Sequence, residues 1–175
     1  KEGFEELVCQ LARNDKFDNA KSFIRKGVPD AGVECFWILN NDKEICFQAK
    51  FFTTPLTSTQ WGEVDESVRT AIEKHPNLSK YIVSIPQDRA DARVNNQKSF
   101  LDKWNERVVK WEAWANEKNL NVEFLYEGSS ELYEKLTKPE NIGKTLFWFN
   151  KEDYSDEWFL KHNRSKIEDL GVRYT

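Results

Sequence analysis

The residues that could do chemistry lie in two short stretches. "GVPDAGVE" over 27–34 carries Asp30 and Glu34, and "EICFQAKFF" over 44–52 carries Gln48 and Lys50. The second stretch puts Ile45, Phe47, Ala49 and Phe51 at odd positions, a clean apolar face, and ends its even positions in Gln48 and Lys50. Strand side chains alternate, so an amide and an ammonium should stand side by side on the other face. A carboxylate, an amide oxygen and a lysine together suit a hard divalent cation held against a phosphate. Magnesium takes oxygen ligands, offsets phosphate charge and lowers the pKa of a bound water. In that chemistry Glu34 supplies the carboxylate, and Gln48 adds a neutral ligand or an outer contact. Lys50 orients the water or stabilises charge growing on the phosphate. Glu5, near the N-terminus, can reach the same place, bind a second metal or its water, and so support the site. Each residue also has a plain reading. Lys50 alone could be a strand-end lysine reaching solvent, Asp30 a turn residue and Glu5 a helix N-terminal charge.

Bringing these groups together requires a hairpin. "VECFWIL" (33–39) is strongly β-prone, "NNDK" (40–43) is a turn, and the 44–51 strand follows. Register decides which side chains share a face. With Asn41-Asp42-Lys43 as the loop, Asn40 pairs Glu44, Phe36 pairs Gln48 and Glu34 pairs Lys50, so Glu34, Gln48 and Lys50 meet on one face. A two- or four-residue loop would turn Glu34 to the other side. We therefore expect an odd loop or a bulge.

The surrounding elements follow from periodicity and breakers. Residues 4–14 have helix spacing, with Phe4, Leu7, Val8, Leu11 and Ala12 on one side. A short strand is expected at 22–26 and a loop at "GVPDAG". Helix 61–74 ends at His75-Pro76-Asn77, strand 80–86 follows, and residues 87–96 form a polar loop. Further on come helix 97–118, strand 122–126 and helix 129–136, then an aromatic cluster at 146–149 and a helix over 155–170. This order predicts an α/β fold, a mixed central sheet flanked by helices on both faces. We expect a core over about 1–126 and a helical extension over about 129–175. Trp104, Trp111 and Trp114 sit at helical spacing and are read as core. His75 reads as a helix-end residue and His162 as part of a solvated face, and neither is assigned a role.

Bulk properties narrow the class. The 175 residues, 39% of them hydrophobic, suffice for one domain with a core. The net charge of −4 leaves no general basic surface for nucleic acid, so any DNA affinity must come from a local patch or from assembly. Lys21, Arg25 and Lys26, and Arg89 and Arg93 in the polar loop, could contact phosphate, although charge runs are usually just solvated. Three cysteines, Cys9, Cys35 and Cys46, each in apolar surroundings, read as reduced core thiols of an intracellular, cytoplasmic protein rather than a disulfide or zinc framework. No apolar run reaches the roughly 18 residues of a membrane span. GxGxxG, P-loop, paired CxxC and HExxH motifs are all missing from the chain. It has no Met, begins at Lys1 and stops at Tyr174-Thr175, from which we expect a piece cut from a longer polypeptide.

"PDAGVE", followed fourteen residues later by "FQAK", resembles the PD-(D/E)xK nuclease superfamily, and most of all its Mrr-like restriction-endonuclease branch. "FEELV" at the start is similar to that branch's first helix, whose Glu often joins the metal site. The element order over about residues 1–86 fits as well. "QWGEVDESVRTAIEKHPNLSKYIVSIPQDRAD" and the closing "IEDLGVRYT" resemble N-terminal nuclease domains of large bacterial antiviral STAND ATPases. The resemblance implies a restriction-endonuclease-like fold and a magnesium- or manganese-dependent endonuclease that cuts double-stranded DNA in antiphage defence. It implies Glu34, Gln48, Asp30 and Glu5 at the metal and Lys50 in catalysis. It further implies activation by self-association of the parent protein, tetramers included, after a sensor elsewhere in that protein binds a phage protein. Glu34 stands where Asp is commoner and Gln48 where a carboxylate is commoner, so the site holds less negative charge than most of the superfamily. The reading from another class is a degenerate nuclease fold that only binds DNA or drives oligomerisation.

Overall fold

A computed structural model describes residues 2–27, 30–92, 97–149, 160 and 164. The chain divides into two compact units, Lys1–Lys135 and Leu136–Thr175.

In the first unit a five-stranded sheet runs in the order β1-β2-β3-β4-β5. These are β1 (Ala20–Arg25), β2 (Cys35–Leu39), β3 (Glu44–Ala49), β4 (Leu78–Ser84) and β5 (Glu123–Glu127). β1, β2 and β3 pair antiparallel, and β3, β4 and β5 pair parallel. Parallel neighbours need crossover connections, which the helices supply. α2 (Ser58–Lys74) links β3 to β4, and α3 (Phe100–Glu117) links β4 to β5. α1 (Glu2–Asn14) precedes the sheet and α4 (Ser129–Leu136) follows it. The mixed α/β class with helices on both faces is thus observed.

The core explains the strand sequences. α1 buries Cys9 and Ala12 against Cys35, Ile45, Phe47 and Ile82, and Trp37 Nε1 donates to Ala12 O at 2.8 Å to fix its end. On the other face, Val64, Val68 and Ile72 of α2 and Trp104 and Trp111 of α3 pack on Phe36, Cys46, Tyr81, Val83 and Phe124. β3 is covered from both sides, so Ile45 to Ala49 are all buried. Trp104 and Trp111 are core, as their spacing implied.

Helix starts carry reciprocal caps. Thr57 and Gln60 form a capping box that opens α2 at Ser58, earlier than the apolar pattern alone indicates. Ser99 and Asp102 do the same for α3. α4 carries Lys135 into a buried charge network. Its Nζ lies 2.5 Å from Glu127 Oε1 and 2.5 Å from Asp15 Oδ2, and Ser84 Oγ donates to Glu127 Oε2 at 2.5 Å. Burial pulls the Lys135 pKa down, but Glu127 and Asp15 more than offset it, so the ammonium is held above its ordinary range.

The second unit contains a 3-10 turn at Pro139–Asn141 and α5 (Ile142–Phe149), which holds the aromatic cluster noted in the sequence. The helix expected over 155–170 lies outside the described residues except for Leu160 and Arg164, both helical.

Candidate functional site at the carboxyl end of the third strand

The β2–β3 hairpin builds the site. Asp42 N–H donates to Leu39 O at 2.9 Å, and Leu39 N–H donates to Lys43 O at 2.9 Å. The loop is therefore Asn40-Asn41-Asp42, closed by Asp42 at φ 61. A three-residue loop ending in a left-handed residue is a common hairpin connection, and Asp tolerates that conformation. The loop is odd, as expected, but starts one residue early. Observed pairs are Ile38 with Glu44, Phe36 with Cys46 and Cys35 with Phe47. This corrects the expected register by two residues, so Phe36 does not pair Gln48 and Glu34 does not pair Lys50. A two-residue shift keeps every side chain on its face. Extending the ladder one step, Glu34 N–H donates to Phe47 O at 2.9 Å, which puts Glu34 beside Gln48.

The side chains meet there. Gln48 Nε2 donates to Glu34 Oε1 at 2.7 Å and, more weakly, to Ala49 O at 3.2 Å. Gln48 is 2% exposed, and its Oε1 is buried with no hydrogen-bond partner among the described residues. An acceptor left without a donor in the interior costs free energy, so this oxygen is chemically available. Glu34 is half-buried. Burial first, and then the charges of Asp30 and Glu5, push its carboxyl up to about 7, while the Gln48 donor and the Lys50 charge pull the other way. The charges of Asp30, Glu5 and Lys50 thus all act on this one carboxylate. Lys50 follows the end of β3 and donates its backbone N–H to Ser84 O at 2.9 Å. Its side chain makes no ion pair among the described residues. Phe51 does not continue the apolar face, because it leaves the sheet 46% exposed, with Phe4 of α1 packed 5.6 Å from it.

A strained turn delivers Asp30 and Glu34. Asp30 O accepts Val33 N–H at 3.1 Å, and Asp30 Oδ1 accepts Gly32 N–H at 3.0 Å. Asp30 is thus the turn residue of its plain reading and also a neighbour of Glu34. Ala31 and Gly32 both have positive φ, at 55 and 74. A Cβ on Gly32 would lie 2.3 Å from Ser67 O of α2. Tyr81 Oη donates to Gly32 O at 2.6 Å and ties the turn to β4. Left-handed Ala costs about 1–2 kcal/mol, and strain of this kind persists where surrounding contacts impose it.

Glu34 and Gln48 are thus in direct contact, and the charges of the other three expected residues, Asp30, Glu5 and Lys50, act on the Glu34 carboxylate. They suit a hard cation. Crowded carboxylates would be relieved by positive charge, and the unpartnered Gln48 oxygen is a spare neutral ligand. Most of the expected phosphate-contact cations are already engaged. Lys21 pairs Asp42 at 3.1 Å, Arg25 pairs Glu6, and Arg89 pairs Glu131 at 2.6 Å. Arg93 lies outside the described residues.

A second polar cluster went unrecognised in the sequence. Glu44, Cys46 and His75 present a carboxylate oxygen, a thiol and an imidazole nitrogen, all within 4.8 Å of one another. His75 ends α2, as its sequence reading expected, donating its backbone N–H to Ala71 O at 2.9 Å, and its side chain is buried beside Glu44 and Cys46. The signal was available. Glu44 and Cys46 continue the even alternation of Gln48 and Lys50 back along β3.

The chain matches no protein-family model and no curated protein. Among the described residues no helix is long and apolar enough to cross a membrane.

Proposed function

We propose that this chain is a magnesium-dependent DNA endonuclease domain with a restriction-endonuclease-like fold, which hydrolyses phosphodiester bonds in double-stranded DNA. The observation that carries the reading is the contact of Gln48 with Glu34 at 2.7 Å, set among the charges of Asp30, Glu5 and Lys50. Glu34 and the Gln48 oxygen would hold the cation, with Asp30 and Glu5 in support. Bound there, magnesium or manganese supplies charge neutralisation and an acidified water. Glu34, with its carboxyl near 7, must give up its proton to serve as a ligand. Lys50, which makes no ion pair among the described residues, is available to the phosphate or the attacking water. The 30–33 turn fixes where Asp30 and Glu34 stand.

The biological setting rests on the resemblance to nuclease domains of antiviral STAND ATPases. In this reading the domain is an effector in cytoplasmic antiphage defence, and assembly of the parent protein switches it on. A net charge of −4 supports that order of events, because a negative domain has little non-specific DNA affinity alone. Clustering raises its effective concentration and sets two sites against two strands. The test is plasmid cleavage by the full-length assembled protein, with magnesium or with EDTA, comparing Lys50→Ala with the parent. The reading expects cleavage only with magnesium and its loss in the variant. Equal cutting by both proteins would refute it.

A further inference from the structure

We infer that Glu44, Cys46 and His75 form a second, separate metal site, which takes a borderline transition-metal ion of the zinc class. It does not depend on the nuclease reading.

The donor atoms are nearly in place. His75 Nδ1 lies 2.5 Å from Glu44 Oε2 and 3.9 Å from Cys46 Sγ. A tetrahedral ion with bonds of about 2.0–2.3 Å sets its ligand atoms roughly 3.3–3.8 Å apart. The Cys–His spacing lies about 0.1 Å beyond that range, and the Glu–His pair needs only to open by about an ångström to reach it. The backbones carrying the ligands are pinned. Glu44 N–H donates to Asn77 O at 2.8 Å, and Glu44 O accepts Ser79 Oγ at 2.9 Å. Glu44 and Cys46 are two residues apart on β3 and so share a face, while His75 is held by the last turn of α2.

Chemistry selects the ion. Thiolate and imidazole are poor ligands for magnesium and good ones for zinc. One carboxylate, one thiolate and a neutral imidazole balance the two charges of a divalent ion, which a buried site requires. His75 is 3% exposed, and its Nδ1 is the atom that faces both Glu44 and Cys46, so Nδ1 is the ligating nitrogen. The Phe36 ring packs edge-on against His75 at 5.2 Å and helps keep the pocket dry. Binding releases the Cys46 thiol proton to solvent and takes the proton shared with Glu44 off His75 Nδ1, leaving the neutral imidazole protonated on Nε2, so that Nδ1 and Glu44 can join the thiolate as ligands. The bound ion would clamp the end of α2 to the start of β3, at the opposite end of the strand from Gln48 and Lys50.

The experiment titrates Zn2+ into the metal-free full chain against a chromophoric chelator, and Co2+ in parallel for its absorption spectrum. We expect one equivalent bound and a thiolate-to-cobalt charge-transfer band. Cys46→Ser should abolish the band, and Cys9→Ser should retain it. Glu44→Gln sits at a half-buried position, keeps an acceptor for His75, and should weaken Zn2+ binding at least about ten-fold. It serves as the second variant if Cys46→Ser does not fold. The site is overturned if the folded parent binds no Zn2+, if the band follows Cys9, or if Glu44→Gln binds as tightly as the parent.

Discussion

The even face of β3 carries two polar clusters of opposite character. At the carboxyl end, Glu34 and Lys50 are half-buried and Gln48 is buried, offering oxygen ligands and a cation, and the charges of Asp30 and Glu5 act on Glu34. At the amino end, Glu44, Cys46 and His75 offer mixed oxygen, sulfur and nitrogen donors in a dry pocket. Burial pushes the Cys46 thiol well above its ordinary range, as does the Glu44 charge, with Lys26 opposing. In the proposed reading, the same strand and the same alternation serve a hard ion exchanging with substrate at one end and a fixed, softer ion at the other. What differs is how each end is covered. The turn over 30–33 leaves Glu34 half-buried beside the buried Gln48, and the α2 terminus with Phe36 covers the second.

Separating the two ends experimentally sharpens the comparison. The largest effect is expected from Glu34→Gln or Lys50→Ala, each of which should lower magnesium-dependent plasmid cleavage by about 100-fold or more. Next comes Gly32→Ala, which drives a Cβ into Ser67 O in a positive-φ residue. It should displace Asp30 and Glu34 and cut the rate by up to about 100-fold, with a drop in melting temperature and unchanged Zn2+ binding.

A pH effect confined to the carboxyl end should be smaller. The folded protein holds the Glu34 proton up to about 7 against an ordinary 4.5, so it binds a proton that the unfolded chain releases in between. Stability from this group is fully present below pH 4.5, falls as pH rises towards 7, and is flat beyond. Melting curves across that window should show the slope in the parent and lose it in Glu34→Gln. Magnesium should raise the melting temperature most above pH 7. Smallest is Tyr81→Phe, which removes the Gly32 O hydrogen bond at a cost of about 1 kcal/mol, measurable by denaturant unfolding.

The hairpin and its odd loop were legible because Asn and Asp at 40–42 mark a turn and the flanking runs are β-prone. The register was not. It depends on Asp42 taking a left-handed conformation so that Leu39 can pair with Lys43, a choice of one residue among three polar ones. The faces survived because the error was an even number. The early start of α2 was written in the Thr57–Gln60 pair, but the apolar pattern drew attention to Trp61 instead. Phe51 looked like core because alternation says nothing about where a strand leaves its sheet. His75 was missed for a different reason. Its partners are 29 and 31 residues away, and only the β3–β4 pairing brings the end of α2 over Cys46 and Glu44.

The most direct measurement pairs Glu34→Gln with Glu44→Gln in the full-length assembled protein and follows plasmid cleavage with magnesium. The account predicts that the first is inactive and folded, while the second cuts at close to the parental rate. Cleavage that survives Glu34→Gln, or that is lost in a folded Glu44→Gln, would contradict it.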